Sequence, residues 1–220
     1  MADPNLASWA RHDLIWIRSS AWANILATRA EIAKHPAAIE WTDRGRPVIV
    51  RRAAPGDPAG CIPFGLPLPP AQGKYRLCGA VPAPCIVARS SLPRLADALA
   101  SVPALWHITV DRLLDLSPDV QMYGSLAWEH LTSLPYLSAT SDLDLLWHHE
   151  DAAATETRLA AIAIIDRDAP MRIDGEIVNT AGIGVQWREL ASRASTVVAK
   201  RINGATLMSR AAFLGSEKPC

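Results

Sequence analysis

Lysine is scarce in this chain: of its 22 basic residues only Lys34, Lys74, Lys200 and Lys218 are Lys, and the other 18 are Arg. Arg grips phosphates and carboxylates with a planar fork, although a GC-rich genome produces the same bias. Net charge is lacking too, since 22 acidic residues balance the 22 basic ones. This argues against a general nucleic-acid or membrane surface. None of the cysteines (Cys61, Cys78, Cys85, Cys220) has C-x-x-C spacing, which speaks against a structural zinc site. No apolar run reaches the roughly 18 residues that a membrane span needs. The opening MADPNLASWARHDLIWI lacks a basic segment followed by a long apolar one, so no signal peptide is expected. A cytoplasmic protein with free thiols is the expectation.

What is present is enough for a core. Half of the 220 residues are hydrophobic and 20% are charged, as in one large or two small folded domains. Residues 53–70 hold six prolines and three glycines. Such a run is expected as a loop or rigid extended segment, not a helix or a central strand. Pro82, Pro84 and Pro93 mark a boundary, placing a smaller N-terminal α/β domain at 1–90 and a second domain at 91–220.

Hydrophobic periodicity predicts strands at 13–19 and 47–52 and one helix over 21–34. In the second domain it predicts helices at 92–101, 106–116, 125–134, 153–165 and 189–194. Strands are predicted at 119–123, 142–147, 171–178 and 184–187, with a hairpin about Asn203-Gly204. The fold class is α+β.

The stretch SDLDLLW (141–147) sets two aspartates one residue apart in an apolar strand. Residues i and i+2 share a face, so Asp142 and Asp144 point one way and Leu143 and Leu145 the other. At roughly 6.6 Å the carboxylates repel by about 2.5 kcal/mol at an effective dielectric of 20, and by about 0.6 in water. A partly buried pair needs a cation, and no Lys or Arg lies between Arg112 and Arg158. A divalent metal with oxygen ligands, Mg²⁺ above all, meets that need. Taken alone, the pattern also suits the solvated face of an edge strand.

Upstream, Gly124-Ser125 stands between a predicted strand and a predicted helix. Glycine admits a close approach to the backbone, and a helix start offers N–H groups to phosphate. An ordinary Ser N-cap explains the pair equally. Downstream, MRIDGEIV (171–178) offers Asp174, with Glu176 on the same face; a turn at Asp174-Gly175 is the other reading.

A strand, a Gly-Ser turn, a helix and a strand with D-x-D resemble the polymerase-beta-type nucleotidyltransferase superfamily. YGSLAWEHLTSLPYL, SDLDLLW, RIDGEI and QWREL, with RPVIVRR and IPFGLPLPP before them, look like the phosphoribosyl-dephospho-CoA transferase family, the holo-acyl-carrier-protein synthases of malonate decarboxylase. The resemblance implies a mixed-sheet catalytic domain. It implies two Mg²⁺ ions on Asp142, Asp144 and Asp174, with Gly124 and Ser125 holding the leaving pyrophosphate. The donor it implies is 2'-(5''-triphosphoribosyl)-3'-dephospho-CoA, and the acceptor is a serine of the acyl-carrier subunit of malonate decarboxylase. The citrate lyase carrier is a near alternative. Transfer of AMP from ATP to a hydroxyl is the second reading. The gap between Ser125 and Asp142 is longer than the superfamily pattern, with the extra loop placed at 136–140.

Lys200 is assigned to the triphosphate, although a snorkelling surface Lys suits it too. Arg44, Arg46, Arg51 and Arg52 flank a strand as phosphate or carrier contacts, or as its solvated edge. His148-His149-Glu150 reads as a solvated strand end rather than one metal site, because adjacent residues face opposite sides. Trp128 and Trp147 read as core, with adenine stacking as the alternative.

Overall fold

The computed structural model describes residues 8–73 and 75–215; Lys74, Lys218 and Cys220 lie outside them. It divides into two compact units. The first comprises Met1–Leu92 with two later pieces, Leu131–Tyr136 and Ile202–Gly204. The second comprises Pro93–His130, Leu137–Arg201 and Ala205–Cys220.

In the first unit the chain runs β1 (Leu14–Ile17), α1 (Ser19–Thr28), α2 (Ala30–Ala33), α3 (Pro36–Ile39), β2 (Val48–Val50), β3 (Cys61–Pro67), β4 (Arg76–Pro82) and β5 (Ile86–Ser90). The strands form one sheet in the order β4-β3-β2-β1-β5, antiparallel at every pairing. It is therefore not the alternating α/β arrangement expected. Its core gathers Ile15, Trp22, Trp41, Ile62, Phe64 and Leu66, all at most 1% exposed.

Two expectations fail here. The Pro-rich run supplies β3, an inner strand between β2 and β4. Ile62, Phe64 and Leu66 are buried, and Pro63 and Pro67 alternate with them. The Pro63 carbonyl accepts from the Arg51 N–H at 3.0 Å. In an antiparallel strand N–H and C=O point the same way, so the missing donor of Pro63 faces β2, whose pairing with β3 covers only Ile49 and Val50. The proline thus sits where little ladder is left to break. The helix expected over 21–34 is interrupted at Arg29 (φ −126°, ψ 80°). There the Thr28 hydroxyl donates back to the Asn24 carbonyl, and the Arg29 side chain reaches Glu31 and the Cys78 carbonyl; back-bonding of this kind competes with the helix ladder.

In the second unit a 3₁₀ turn at Leu95–Ser101 replaces the predicted helix, its start held by the Asp97 carboxylate on the Arg94 N–H. Then follow α4 (His107–Leu116), β6 (Gln121–Tyr123), α5 (Gly124–Thr132), β7 (Leu143–His148), α6 (Ala152–Asp168), β8 (Ile173–Val178), β9 (Gly184–Gln186), α7 (Trp187–Ala191), β10 (Thr196–Arg201), β11 (Gly204–Ser209) and α8 (Arg210–Phe213). The six-stranded sheet has the order β11-β10-β9-β8-β7-β6. β7 and β8 are parallel, as the crossover through the 17-residue α6 requires. Their neighbours β6 and β9 run antiparallel to them.

Alternation gives this sheet two chemically different faces. One carries Met122, Leu143, Leu145, Trp147, Ile173, Ile177 and Val185, buried in one cluster with Val110 and Leu113 of α4 and Leu159, Ile162 and Ile165 of α6. Each such side chain contributes about 1.5–3 kcal/mol on burial. The core fixes which way β7 and β8 face, and so where the other face presents its polar groups. Among the described residues, no helix is long and apolar enough to cross a membrane.

Candidate active site

The polar face is set by register. Tyr123 pairs with Asp144, Asp144 with Asp174, and Leu146 with Glu176; Glu176 pairs in turn with Gln186. Side chains of paired residues lie on one face, so Asp144 and Asp174 are cross-strand neighbours. Their Cα atoms stand about 4.8 Å apart, closer than two aspartates along one strand. Unit charges at about 5 Å repel by roughly 3 kcal/mol at an effective dielectric of 20. Asp142 precedes β7 by one residue and follows Ser141, which is only 8% exposed.

Gly124 opens α5 at a φ of +68°. A Cβ there would meet Asp144 Oδ2 at 1.9 Å and Cγ at 2.6 Å. The space beside the glycine, where a ligand is expected from the sequence, is thus filled by the Asp144 carboxylate. The same contact ties the Gly-Ser turn to the D-x-D strand. Ser125 follows, half-buried in the first turn of α5.

Asp174 lies inside β8, so the turn reading of Asp174-Gly175 is excluded. Its Oδ1 accepts from the Gly175 N–H at 2.8 Å and from Gln186 Nε2 at 2.9 Å. Its Oδ2 stands 4.0 Å from Arg172 Nη2. Gly175 is needed for a separate reason: at φ +154°, a Cβ would lie 2.2 Å from the Leu145 carbonyl oxygen and 2.8 Å from the Trp147 ring.

A second cation near Asp174 comes from farther along the chain. Arg188 forks onto Asp166 at 2.7 and 2.6 Å and donates to the Ile173 carbonyl at 3.0 Å, one residue before Asp174. Its guanidinium stacks on Trp187, 4.4 Å from the ring centre. Hydrogen bonding to Asp166 holds Arg188 firmly charged against the opposing effect of burial, with the charges of Asp166, Asp174 and Asp142 adding to it. Burial pushes Asp166 up, but the Arg188 fork and the Ile173 N–H outweigh it and hold the carboxyl below the usual range.

Lys200 Nζ is 2.9 Å from Glu176 Oε1, and the Glu176 side chain is only 5% exposed. Lys200 therefore neutralises a buried carboxylate, and Glu176 is matched by that ammonium. Among the described residues, no three His, Cys, Asp or Glu side chains stand together as a ready-made metal group.

Several other expectations resolve. His148 contacts Gln121 and His149 contacts Thr155, in separate places. Trp147 and Trp128 are 2% and 4% exposed, which suits packing and not stacking on a ligand. In the first unit Arg44 pairs with Glu40, Arg51 with Asp57, and Arg46 lies over Trp41, while Arg52 is exposed. Sequence reasoning missed Arg172, Gln186 and Arg188; the last two sit in QWREL, which carried part of the resemblance but no role.

Comparison with known proteins places the chain in a family. Residues 94–211 match the family model for the Phosphoribosyl-dephospho-CoA transferase MdcG C-terminal domain, and residues 10–91 match that for its N-terminal domain. A Phosphoribosyl-dephospho-CoA transferase of Bradyrhizobium diazoefficiens is 36% identical over 93% of this chain and 92% of its own length. One from Xanthomonas campestris pv. campestris is 33% identical over 92% of this chain and 95% of its own. No solved structure matches. With both family models matched in order and full-length relatives above 30% identity, this chain belongs to the phosphoribosyl-dephospho-CoA transferase family.

Proposed function

We propose that this chain acts in the cytoplasm as a nucleotidyltransferase of the polymerase-beta type. It moves the phosphoribosyl-dephospho-CoA group from 2'-(5''-triphosphoribosyl)-3'-dephospho-CoA to a serine hydroxyl of the acyl-carrier subunit of malonate decarboxylase. The observation that supports this most is the seating of the Asp144 carboxylate on Gly124 with Asp174 in register beside it. It brings the Gly-Ser turn and a carboxylate pair to one place.

The donor set around that turn is all oxygen, which fits Mg²⁺ in kind, and the pairing of Asp144 with Asp174 suits a shared ion. Asp142, Asp144 and Asp174 would hold Mg²⁺, which when bound stabilises charge on the entering and leaving oxygens together. In the reaction, the serine Oγ–P bond forms at the phosphorus next to the ribose, and the bond from that phosphorus to pyrophosphate breaks. Gly124 and Ser125, at the start of the nine-residue α5, offer N–H and hydroxyl donors to the departing pyrophosphate. Gly175 and Gln186 fix Asp174 through Oδ1, which leaves Oδ2 to take the serine proton. Lys200, its charge matched by Glu176, lies on the same face and would reach the triphosphate as a hydrogen-bond donor.

Mass spectrometry of the malonate decarboxylase carrier, after incubation with the protein, Mg²⁺ and the donor, tests this. The expected outcome is a mass increase equal to phosphoribosyl-dephospho-CoA, lost in Asp142→Ala. An AMP-sized adduct when ATP is supplied instead would support AMP transfer. Modification of a citrate lyase carrier alone would move the acceptor, and unchanged modification by Asp142→Ala would refute the mechanism.

A further inference from the structure

The carboxylates of Asp144 and Asp174, paired in register, repel one another whenever no metal is bound, and Arg188 reaches the carbonyl just before Asp174. An arginine kept only to join α6 to β8 would be satisfied by Asp166 and the Ile173 carbonyl. This one also has Asp174 and Asp142 within electrostatic reach. Its guanidinium is held from three sides: by the two oxygens of Asp166, by the carbonyl that precedes Asp174, and by the Trp187 ring. A charge held so firmly cannot swing away when a dication arrives. Arg172, by contrast, is 55% exposed and 4.0 Å from Asp174, so solvent screens it and it is free to move aside.

We propose that Arg188 is a positioning residue whose fixed charge sets how readily the carboxylate face takes up Mg²⁺. In the free protein Arg188 offsets part of the repulsion met by Asp142 and Asp174, and by the same charge it repels an incoming dication. Mg²⁺ alone therefore binds weakly. The triphosphate of the donor brings the negative charge that outweighs Arg188, and metal and donor load together. The site so avoids holding a metal with nothing to act on. This rests on the Mg²⁺ site proposed above.

The test is titration calorimetry with Mg²⁺ alone on the full chain, without donor, at fixed ionic strength. Arg188→Met is expected to tighten Mg²⁺ binding about three- to tenfold, the range for one nearby charge at a partly exposed site. Arg188→Lys, which keeps the charge and loses the fork, is expected to stay within about twofold of the wild type. Because Arg188→Met also leaves Asp166 unpaired, Asp166→Asn/Arg188→Gln serves as the second variant. It removes both charges, keeps polar partners in place, and is expected to tighten binding in the same direction. If Met and Lys behave alike, the role is geometric and the proposal is overturned. It is equally overturned if only the single variant tightens, since the freed Asp166 would then be the cause. Mg²⁺ binding by the wild type that Arg188→Met leaves unchanged sinks this inference alone. No Mg²⁺ binding by the wild type even with donor present sinks the metal site and this inference with it.

Discussion

Replacing Gly124 by Ala is the sharpest probe of the proposed site, because one methyl group meets one oxygen of the Asp144 carboxylate. The added Cβ would lie 1.9 Å from Asp144 Oδ2. Real Cβ atoms stay at least 3.0 Å from such a neighbour, so a shift of roughly 1.1 Å is needed. β7 is held between β6 and β8 with Leu143 and Leu145 fully buried, so the backbone of Asp144 will not supply that shift. The side chain must rotate away from the turn. Misplacing a reacting group by about 1 Å costs on the order of 10²-fold in rate. The positive φ adds a folding penalty of about 1–2 kcal/mol for a residue with a Cβ. Gly124→Ala is therefore expected to lower the initial rate of carrier modification at least about 100-fold. It should cost only about 1–3 kcal/mol in urea unfolding. Ser125→Ala, which leaves Asp144 alone, should keep the fold and lose less activity. If Gly124→Ala modified the carrier at the wild-type rate, the seating of Asp144 on the turn would have no part in the chemistry, and the reasoning from close approach would fail.

Gly175→Ala should act on stability instead, since its Cβ would strike the Leu145 carbonyl oxygen and the Trp147 ring on the core face. A loss of about 2–4 kcal/mol in urea unfolding is expected, and a loss under about 0.5 would contradict the packing described. Asp166 has a carboxyl held below its ordinary range, so its contribution is present above the unfolded-state value and lost as pH falls through the folded one. Thermal melting from pH 6 down to about pH 2 should show Asp166→Asn losing less stability with acid than the wild type; parallel curves would mean the Arg188 fork does not stabilise the fold.

The parts of this site that were legible in the sequence are those written in short-range pattern. SDLDLLW gave the strand and its two faces because alternation is local, and Gly124-Ser125 marked a strand-to-helix turn because glycine and serine signal one. The helix between the strands of Asp144 and Asp174 was legible in the same way, whereas their parallel, in-register pairing is seen only in the fold. Arg188 was not legible: its partner Asp166 is 22 residues away, and nothing in local periodicity says which helix end an arginine will reach. Lys200 and Glu176, 24 residues apart, were hidden likewise. β3 was misjudged because proline frequency was weighed without knowing which edge of the strand lacked a partner. The long gap between Ser125 and Asp142 has a physical account: Leu131–Tyr136 belongs to the first unit, where Arg46 donates to the Thr132 carbonyl and Tyr136 to that of Pro67.

That division has a consequence for anyone who would take the protein apart. The family models meet near residue 92, which invites a cut there. A fragment ending at Leu92 would be deprived of the tyrosine hydroxyl that Pro67 receives at 2.8 Å, and of the Ile202 carbonyl on which the Ala53 N–H ends at 2.7 Å. The gene is contiguous where the first unit is not. A circular permutant or an insertion would have to respect junctions at five places along the chain, and the boundary easiest to see in the sequence is only one of them.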